Sequence, residues 1–338
     1  MRALVTGGAG YIGSHLVAAL IESGLDVTVL DDLSNGHPEA VRRAAALAGG
    51  TCPLVVGDVA DRDLLVRALD GVGVVFHLAA SKSVPESVEH PERYFRNNAG
   101  GTAALLEAME AAAVHRLVYS STAAVYGSAV GMPVTERAAC APDNPYGLSK
   151  LMGEQMLEKM ASEQGWSVVS LRYFNPVGAH RSGRIGEAFG NASSLVPVAL
   201  AATMGRRRPI EVFGTDYDTP DGTCLRDYVA IDDLVQAHIS VLAETSAGHH
   251  VFNVGTGRAH SVREVLAACE RVTGRPVPHT DGPRRAGDVP VALADPGALR
   301  AALGFDATTG LEAMIESAWR WHQAFPKGYG PKVRLATS

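Results

Sequence analysis

The amino-acid sequence predicts an α/β fold, a doubly wound parallel sheet joined to a smaller mixed α/β unit. Three observations predict it. Residues 1–32 run apolar strand, glycine turn, amphipathic helix, apolar strand and acid. Short apolar runs then alternate with helix-patterned segments as far as Phe174, the order that yields parallel strands covered on both faces. Past Asn175 the rhythm breaks into shorter apolar runs among frequent glycines and prolines. The division is therefore drawn as 1–175 for a dinucleotide-binding domain and 176–338 for a substrate domain, part of which can return to the first sheet.

In the opening unit, Ala3-Leu4-Val5 leads into Gly7, Gly8, Gly10 and Gly13. Ile12, Leu16, Ala19 and Leu20 recur at helical spacing until Gly24. Gly8 permits the tight turn, Gly10 lets backbone N–H groups approach a pyrophosphate, and Gly13 allows close helix–strand packing. The helix start near Tyr11 aims its orphan N–H groups and positive dipole end at those phosphates. The next strand, Val27 to Leu30, ends on Asp31 and Asp32, where a carboxylate accepts a ribose 2′-hydroxyl. A 2′-phosphate would meet two negative charges with no Lys or Arg before Arg42, so NAD is favoured over NADP. Glycines also serve ordinary turns, but here strand, spacing, helix and acid agree. The first unit reads as Rossmann-type.

The elements follow in order. Leu33 to Gly36 is a loop, Leu54-Val55-Val56 a strand ending at Gly57-Asp58, and Asp61 caps the helix after it. Val72 to Leu78 has the near-continuous apolar character of a strand buried on both faces. A polar loop, AASKSVPESVEHP, precedes a helix through Leu105, Leu106 and Met109. Arg116 to Ser121 is a strand, Pro145 starts a helix running towards Gly165, and Val168 to Phe174 is a sixth strand. Helices are expected near Val196–Met204, Ile231–Leu242 and Val262–Thr273.

The chain has 338 residues and a formal net charge of −6, against a general nucleic-acid binder; an anionic substrate needs local arginines. Cys52, Cys140, Cys224 and Cys269 show no paired short spacing, which points to buried thiols in a reducing compartment and to no metal site. Met1 leads straight into a core strand, leaving no room for a signal peptide, and no apolar run approaches the about 18 residues that span a bilayer. A cytoplasmic location is expected.

Ligands in such sheets lie beyond the carboxyl ends of the strands. Ser120, Ser121 and Thr122 stand at one such end, Asn175 at another, and Tyr146 and Lys150 are one helical turn apart on a shared face. A Tyr–Lys pair suits proton exchange with an alcohol during hydride transfer. Free tyrosine titrates near ~10, so poising it near neutrality takes about 3 pH units, or roughly 4 kcal/mol. A cation about 5 Å away at an effective dielectric of about 20 supplies roughly 3 kcal/mol. Lys150 would give most of the effect and a positive nicotinamide ring the rest, while Thr122 shares the same hydroxyl. Alone, such a pair is more often an amphipathic helix surface; downstream of an NAD turn the balance reverses.

TGGAGYIGSH at 6–15, YSSTAAVYG at 119–127, PYGLSK at 145–150 and LRYFNPVGAH at 171–180 resemble the extended short-chain dehydrogenase/reductase superfamily. DGTCLRDYVAIDDL at 221–234 and PRRAGDVP at 283–290 resemble its UDP-glucose 4-epimerase family, and the likeness covers nearly the whole chain. It implies tightly held NAD, a transient 4-keto sugar with no net redox change, and a homodimer built on the helices after Tyr94 and Pro145. Tyr146, Lys150 and Thr122 would be catalytic. The cofactor site implied comprises Gly7, Gly10, Tyr11, Ile12, Gly13, Asp31, Asp32, Asn35, Asp58, Val59, Leu78, Ala79, Ala80, Lys82, Asn97, Ser120, Tyr146, Lys150 and Tyr173. The UDP-sugar site implied comprises Lys82, Thr122, Tyr146, Asn175, Ser194, Leu195, Phe213, Arg226, Arg285, Asp288 and Ala292. Arg226 and Arg285 could equally be surface charges paired with Asp227 and Asp288.

Two rival chemistries share the first oxidation. Dehydratases of this kind place Asp-Glu after the Thr, and decarboxylases keep a Glu there; here Ala123 and Ala124 cannot move a proton. A non-catalytic NAD-binding scaffold would be expected to lack Tyr146 or Lys150. Ala292 stands where hexose-restricted relatives carry a bulky Tyr, which predicts room for an N-acetyl group and activity on UDP-GlcNAc and UDP-GalNAc. Ser194 departs from the Asn that is usual beside the sugar phosphates.

Overall fold

The computed structural model describes residues 1–128, 131–243, 246–285 and 287–331. Its first half alternates strand and helix: β1 (Arg2–Thr6), α1 (Tyr11–Glu22), β2 (Asp26–Asp31), α2 (Pro38–Leu47), β3 (Leu54–Val56), α3 (Arg62–Ala68) and β4 (Val72–His77). Next come α4 (Val84–Glu89) and α5 (Pro91–Tyr94), which passes through a π turn at Phe95–Gly100 into α6 (Gly101–Ala111). Strand β5 (Arg116–Thr122), α7 (Pro145–Gln164) and β6 (Ser167–Tyr173) follow. The stretch expected as a polar loop after Leu78 holds α4 instead. Ser83 Oγ accepts the Glu86 N–H at 3.4 Å, and Pro85 in the first turn needs no donor there.

Helix α7 starts where Pro145 predicts. Asn144 Oδ1 accepts the Gly147 N–H at 2.9 Å, and Gly165, at φ +71°, ends the helix in the left-handed region.

The remaining elements are β7 (Asn175–Val177), α8 (Leu195–Thr203), β8 (Ile210–Phe213), β9 (Leu225–Ala230), α9 (Ile231–Ser240), β10 (Gly248–Val254), β11 (Ala259–Ser261), α10 (Val262–Thr273), β12 (His279–Gly282), β13 (Val291–Ala292), α11 (Gly297–Leu303) and α12 (Leu311–Ala324). The large sheet is seven-stranded in the order β10-β6-β5-β4-β1-β2-β3, every pair parallel. Strand β10 thus leaves the second half of the chain and pairs with β6. A small mixed sheet joins β11, β9, β13 and β7, and β12 pairs with β8.

The large sheet carries apolar packing on both faces. Leu16, Val17 and Leu20 of α1 are buried against one, and Leu105 and Met109 of α6 against the other. Each such side chain contributes about 1.5–3 kcal/mol relative to exposure. Strand order reverses at β1, between β4 and β2, which opens a crevice at the carboxyl edge.

Candidate active site

That crevice is a cavity of about 570 Å³. The glycine turn supplies Gly7, Gly10, Tyr11, Ile12 and Gly13 to its wall; Asp31, Asp32 and Asn35 follow β2, and Asp58 and Val59 follow β3. Leu78, Ala79, Ala80 and Lys82 follow β4, with Asn97 from the π turn. Ser120, Thr122, Tyr146, Lys150, Tyr173, Asn175 and Ser194 complete the part the sequence singles out.

The glycine turn fits a dinucleotide for reasons visible in its own atoms. Gly7 sits at φ +72°, and a Cβ on Gly13 would lie 2.2 Å from the Gly7 carbonyl oxygen. No side chain caps α1, so its first-turn N–H groups point at the cavity without an intramolecular capping acceptor. Asp31 is fixed at the wall by the N–H groups of Ala9 and Leu33, at 2.9 and 2.8 Å. Small residues, orphan donors and a positioned carboxylate are what a pyrophosphate and a ribose diol require.

At the opposite end, a Cβ on Gly147 would stand 2.5 Å from the Ala124 carbonyl oxygen, so α7 rides directly on the segment after β5. This close approach brings Tyr146 to Thr122. Burial raises the Tyr146 pKa, and the nearby polar Thr122 side chain opposes it. Lys150 is buried, donates to the Ser120 carbonyl at 2.7 Å, and lies 4.7 Å from the Tyr119 ring centroid. Its own pKa is pushed down to about 7 by burial. In the protein alone, burial thus works against the acidified phenol expected from the sequence. The same desolvation that raises the phenol also depletes the cation meant to acidify it.

Phe213, Arg226, Arg285, Asp288, Ala292 and Leu195 do not line this cavity. Leu195 begins α8 directly after the lining residue Ser194. The others gather around β9 and β13: Arg285 donates to Asp288 at 2.8 Å, Arg226 lies 3.8 Å from the same carboxylate, and the Arg285 guanidinium covers Phe213 at 5.2 Å. Arg226 also donates to the Leu225 and Val289 carbonyls, and Ala292 pairs with it in register. Both arginines therefore converge on Asp288, one of the two acids the sequence offered them. Asn175 donates to the Asp227 carbonyl at 2.8 Å, tying β7 to β9.

Several wall residues carry no sequence signal of their own. Glu187 faces Lys82 at 3.1 Å and accepts from Ser194 Oγ at 3.3 Å, so the unusual serine has a carboxylate partner. Tyr329 and Lys327 reach the wall from the end of the chain, with the Tyr329 hydroxyl donating to the Gly186 carbonyl at 3.0 Å. Phe174 lies beside Tyr173 on the wall. No cluster of His, Cys, Asp or Glu suited to a metal ion occurs among the described residues.

Fold and site define a nucleotide-dependent enzyme of the short-chain dehydrogenase/reductase type. The chain belongs to the NAD dependent epimerase/dehydratase family, whose model matches residues 3–255. It is 43% identical over 335 residues to a UDP-glucose 4-epimerase of Bacillus subtilis (strain 168), covering 97% of this chain and 99% of that one. A crystal structure of UDP-glucose 4-epimerase from Bifidobacterium longum in complex with NAD+ and UDP superposes with a TM-score of 0.94 at 38% identity, covering 97% of this chain and all of that one (100%). The UDP-Glc/GlcNAc 4-epimerase from Campylobacter jejuni gives a TM-score of 0.82 at 34% identity, with coverage of 96% and 99%.

Proposed function

We propose that this chain is an NAD-dependent isomerase that inverts C4 of a UDP-hexose, interconverting UDP-glucose and UDP-galactose. The observation that carries the reading is the placement of Tyr146, Lys150 and Thr122 on the wall of the same cavity as the glycine turn. Near-full-length similarity to UDP-glucose 4-epimerases supports the substrate class. Residues 1–175 would chiefly hold the cofactor and residues 176–338 the UDP-sugar.

Bound NAD supplies reversible acceptance and return of hydride at the sugar. Tyr146 takes the proton from the C4 hydroxyl and gives it back after the 4-keto sugar has turned its other face. Thr122 hydrogen-bonds the same oxygen, and Lys150 favours the phenolate. Asp31 would hold the adenosine ribose and Asp58 the adenine side, with Lys82 and Asn97 nearer the phosphates and nicotinamide ribose. Arg226 and Arg285 would bind the UDP phosphates, drawn from Asp288, which would then serve the uridine ribose. Ala123 and Ala124 after Thr122 leave elimination or decarboxylation without an acid–base pair.

A second activity, on UDP-GlcNAc and UDP-GalNAc, is favoured by one residue. Ala292 presents a methyl group where a tyrosine would fill space beside Arg226. The assembly would be a cytoplasmic homodimer. Val88 and Leu148 are 63% and 41% exposed, with Val84 and Met152 beside them on α4 and α7, an apolar face suited to a partner. Among the described residues no helix is long and apolar enough to cross a membrane.

Denaturing purified protein and chromatographing the released nucleotide, then incubating intact protein with the four UDP-hexoses, tests this. NAD should be released and each hexose should equilibrate with its C4 epimer. Absence of C4 inversion from NAD-loaded protein would defeat the assignment.

A further inference from the structure

Tyr173 closes the wall at the Tyr146 and Lys150 end of the cavity, and His238 of α9 stands behind it. His238 is fully buried, 0% exposed. Its Nδ1 lies 2.8 Å from the Leu234 carbonyl oxygen, which can only accept, so Nδ1 carries the ring proton. Burial holds the imidazole neutral, with its pKa pushed down to about 4. Nε2 is therefore a bare acceptor, and Tyr173 Oη, 2.5 Å away, must be the donor. Both protons of the chain Tyr173, His238, Leu234 then point into the protein.

We propose that His238 is a positioning residue which, through Tyr173, makes this end of the cavity accept hydrogen bonds, matched to the N–H of a nicotinamide carboxamide. Ribose hydroxyls both donate and accept, so either polarity would satisfy them. The amide nitrogen only donates, and it alone among the groups of a nicotinamide riboside requires an acceptor surface. The inference rests on the NAD reading above and adds what sets the orientation of the ring's amide.

The test exchanges the bound nucleotide of the holoenzyme against an equimolar excess of NAD and 3-acetylpyridine adenine dinucleotide, in which a methyl replaces the amide nitrogen. Retained nucleotides are then separated chromatographically. The wild-type protein should prefer NAD by about tenfold, the effect of one buried hydrogen bond left unmade. Tyr173→Phe and His238→Phe should both bring the two nucleotides to near parity. A merely structural role for His238 would weaken both alike and leave their ratio unchanged, so a wild-type ratio in His238→Phe overturns the proposal. Should His238→Phe fail to fold, Tyr173→Phe must lose the preference and His238→Gln, which can donate to Leu234 and accept from Tyr173, must keep it; any other pair of results overturns the proposal. Protein that retains neither nucleotide would instead strike at the NAD reading.

Discussion

Thr122 shows how one side chain joins strand to chemistry. Its hydroxyl accepts the Ala124 N–H at 3.2 Å, capping the short turn after β5, and it shares the cavity wall with Tyr146. Thr122→Val keeps the shape and removes the hydroxyl, so kcat should fall roughly tenfold to a hundredfold while Thr122→Ser stays near wild type; equal rates for the valine variant would remove Thr122 from the proton path. Ala292→Tyr belongs to the same scale. It should reduce turnover of the acetamido sugars at least about tenfold while sparing UDP-glucose, and parallel losses on both pairs would contradict the size argument. That Tyr146 and Lys150 reach one wall was legible in the chain because a four-residue spacing on a helix fixes a shared face, and Thr122 because it ends a strand. Their titration was not, because burial is a property of the packed site: it drives Lys150 down to about 7 and Tyr146 up.

At the scale of elements, α7 is held under the site by a buried ion pair. Arg172 of β6 donates to both oxygens of Glu154, at 2.6 and 3.0 Å, and Ser121 donates to the same carboxylate. Arg172 also donates to the Tyr126 hydroxyl at 2.9 Å, which in turn donates to Asn253 of β10. Removing one partner leaves the other charge buried and alone, so Glu154→Ala should lower unfolding stability by about 3–5 kcal/mol. A urea midpoint close to wild type would show that the pair is dispensable. None of this network could be read from spacing, since its members lie on four separate elements. The alternating strands and helices could, because each buried strand needs a continuous apolar run. Helix α4 was hidden by its composition: VPESVE looks like loop until Ser83 is seen to cap it.

For the molecule as a whole, the sequence foretold the parallel sheet and the cavity wall contributed by the strand ends, but little of what the last third of the chain adds. Tyr329 and Lys327 arrive on the wall through packing of the segment after α12, where no local pattern announces them. Stability carries a pH signature of the same burial. His15, His77 and His322 are held neutral with pKa values near 3, and His238 near 4. Their folded pKa values lie below the unfolded value of about 6.5, so the unfolded chain binds protons first and stability falls as pH drops below about 6.5. At pH 5.5 each contributes a loss of roughly 1 kcal/mol, and the denaturation midpoint should fall clearly between pH 7.5 and 5.5. An unchanged midpoint would mean that these imidazoles are not held neutral.

The measurement closest to the chemistry follows UDP-glucose by NMR in the presence of purified protein and no added nucleotide, for wild type and Tyr146→Phe at matched NAD content. The wild type should bring UDP-glucose to equilibrium with UDP-galactose, and the phenylalanine variant should be slower by at least about a hundredfold. Equal rates in the two proteins would contradict a proton path through the Tyr146 hydroxyl.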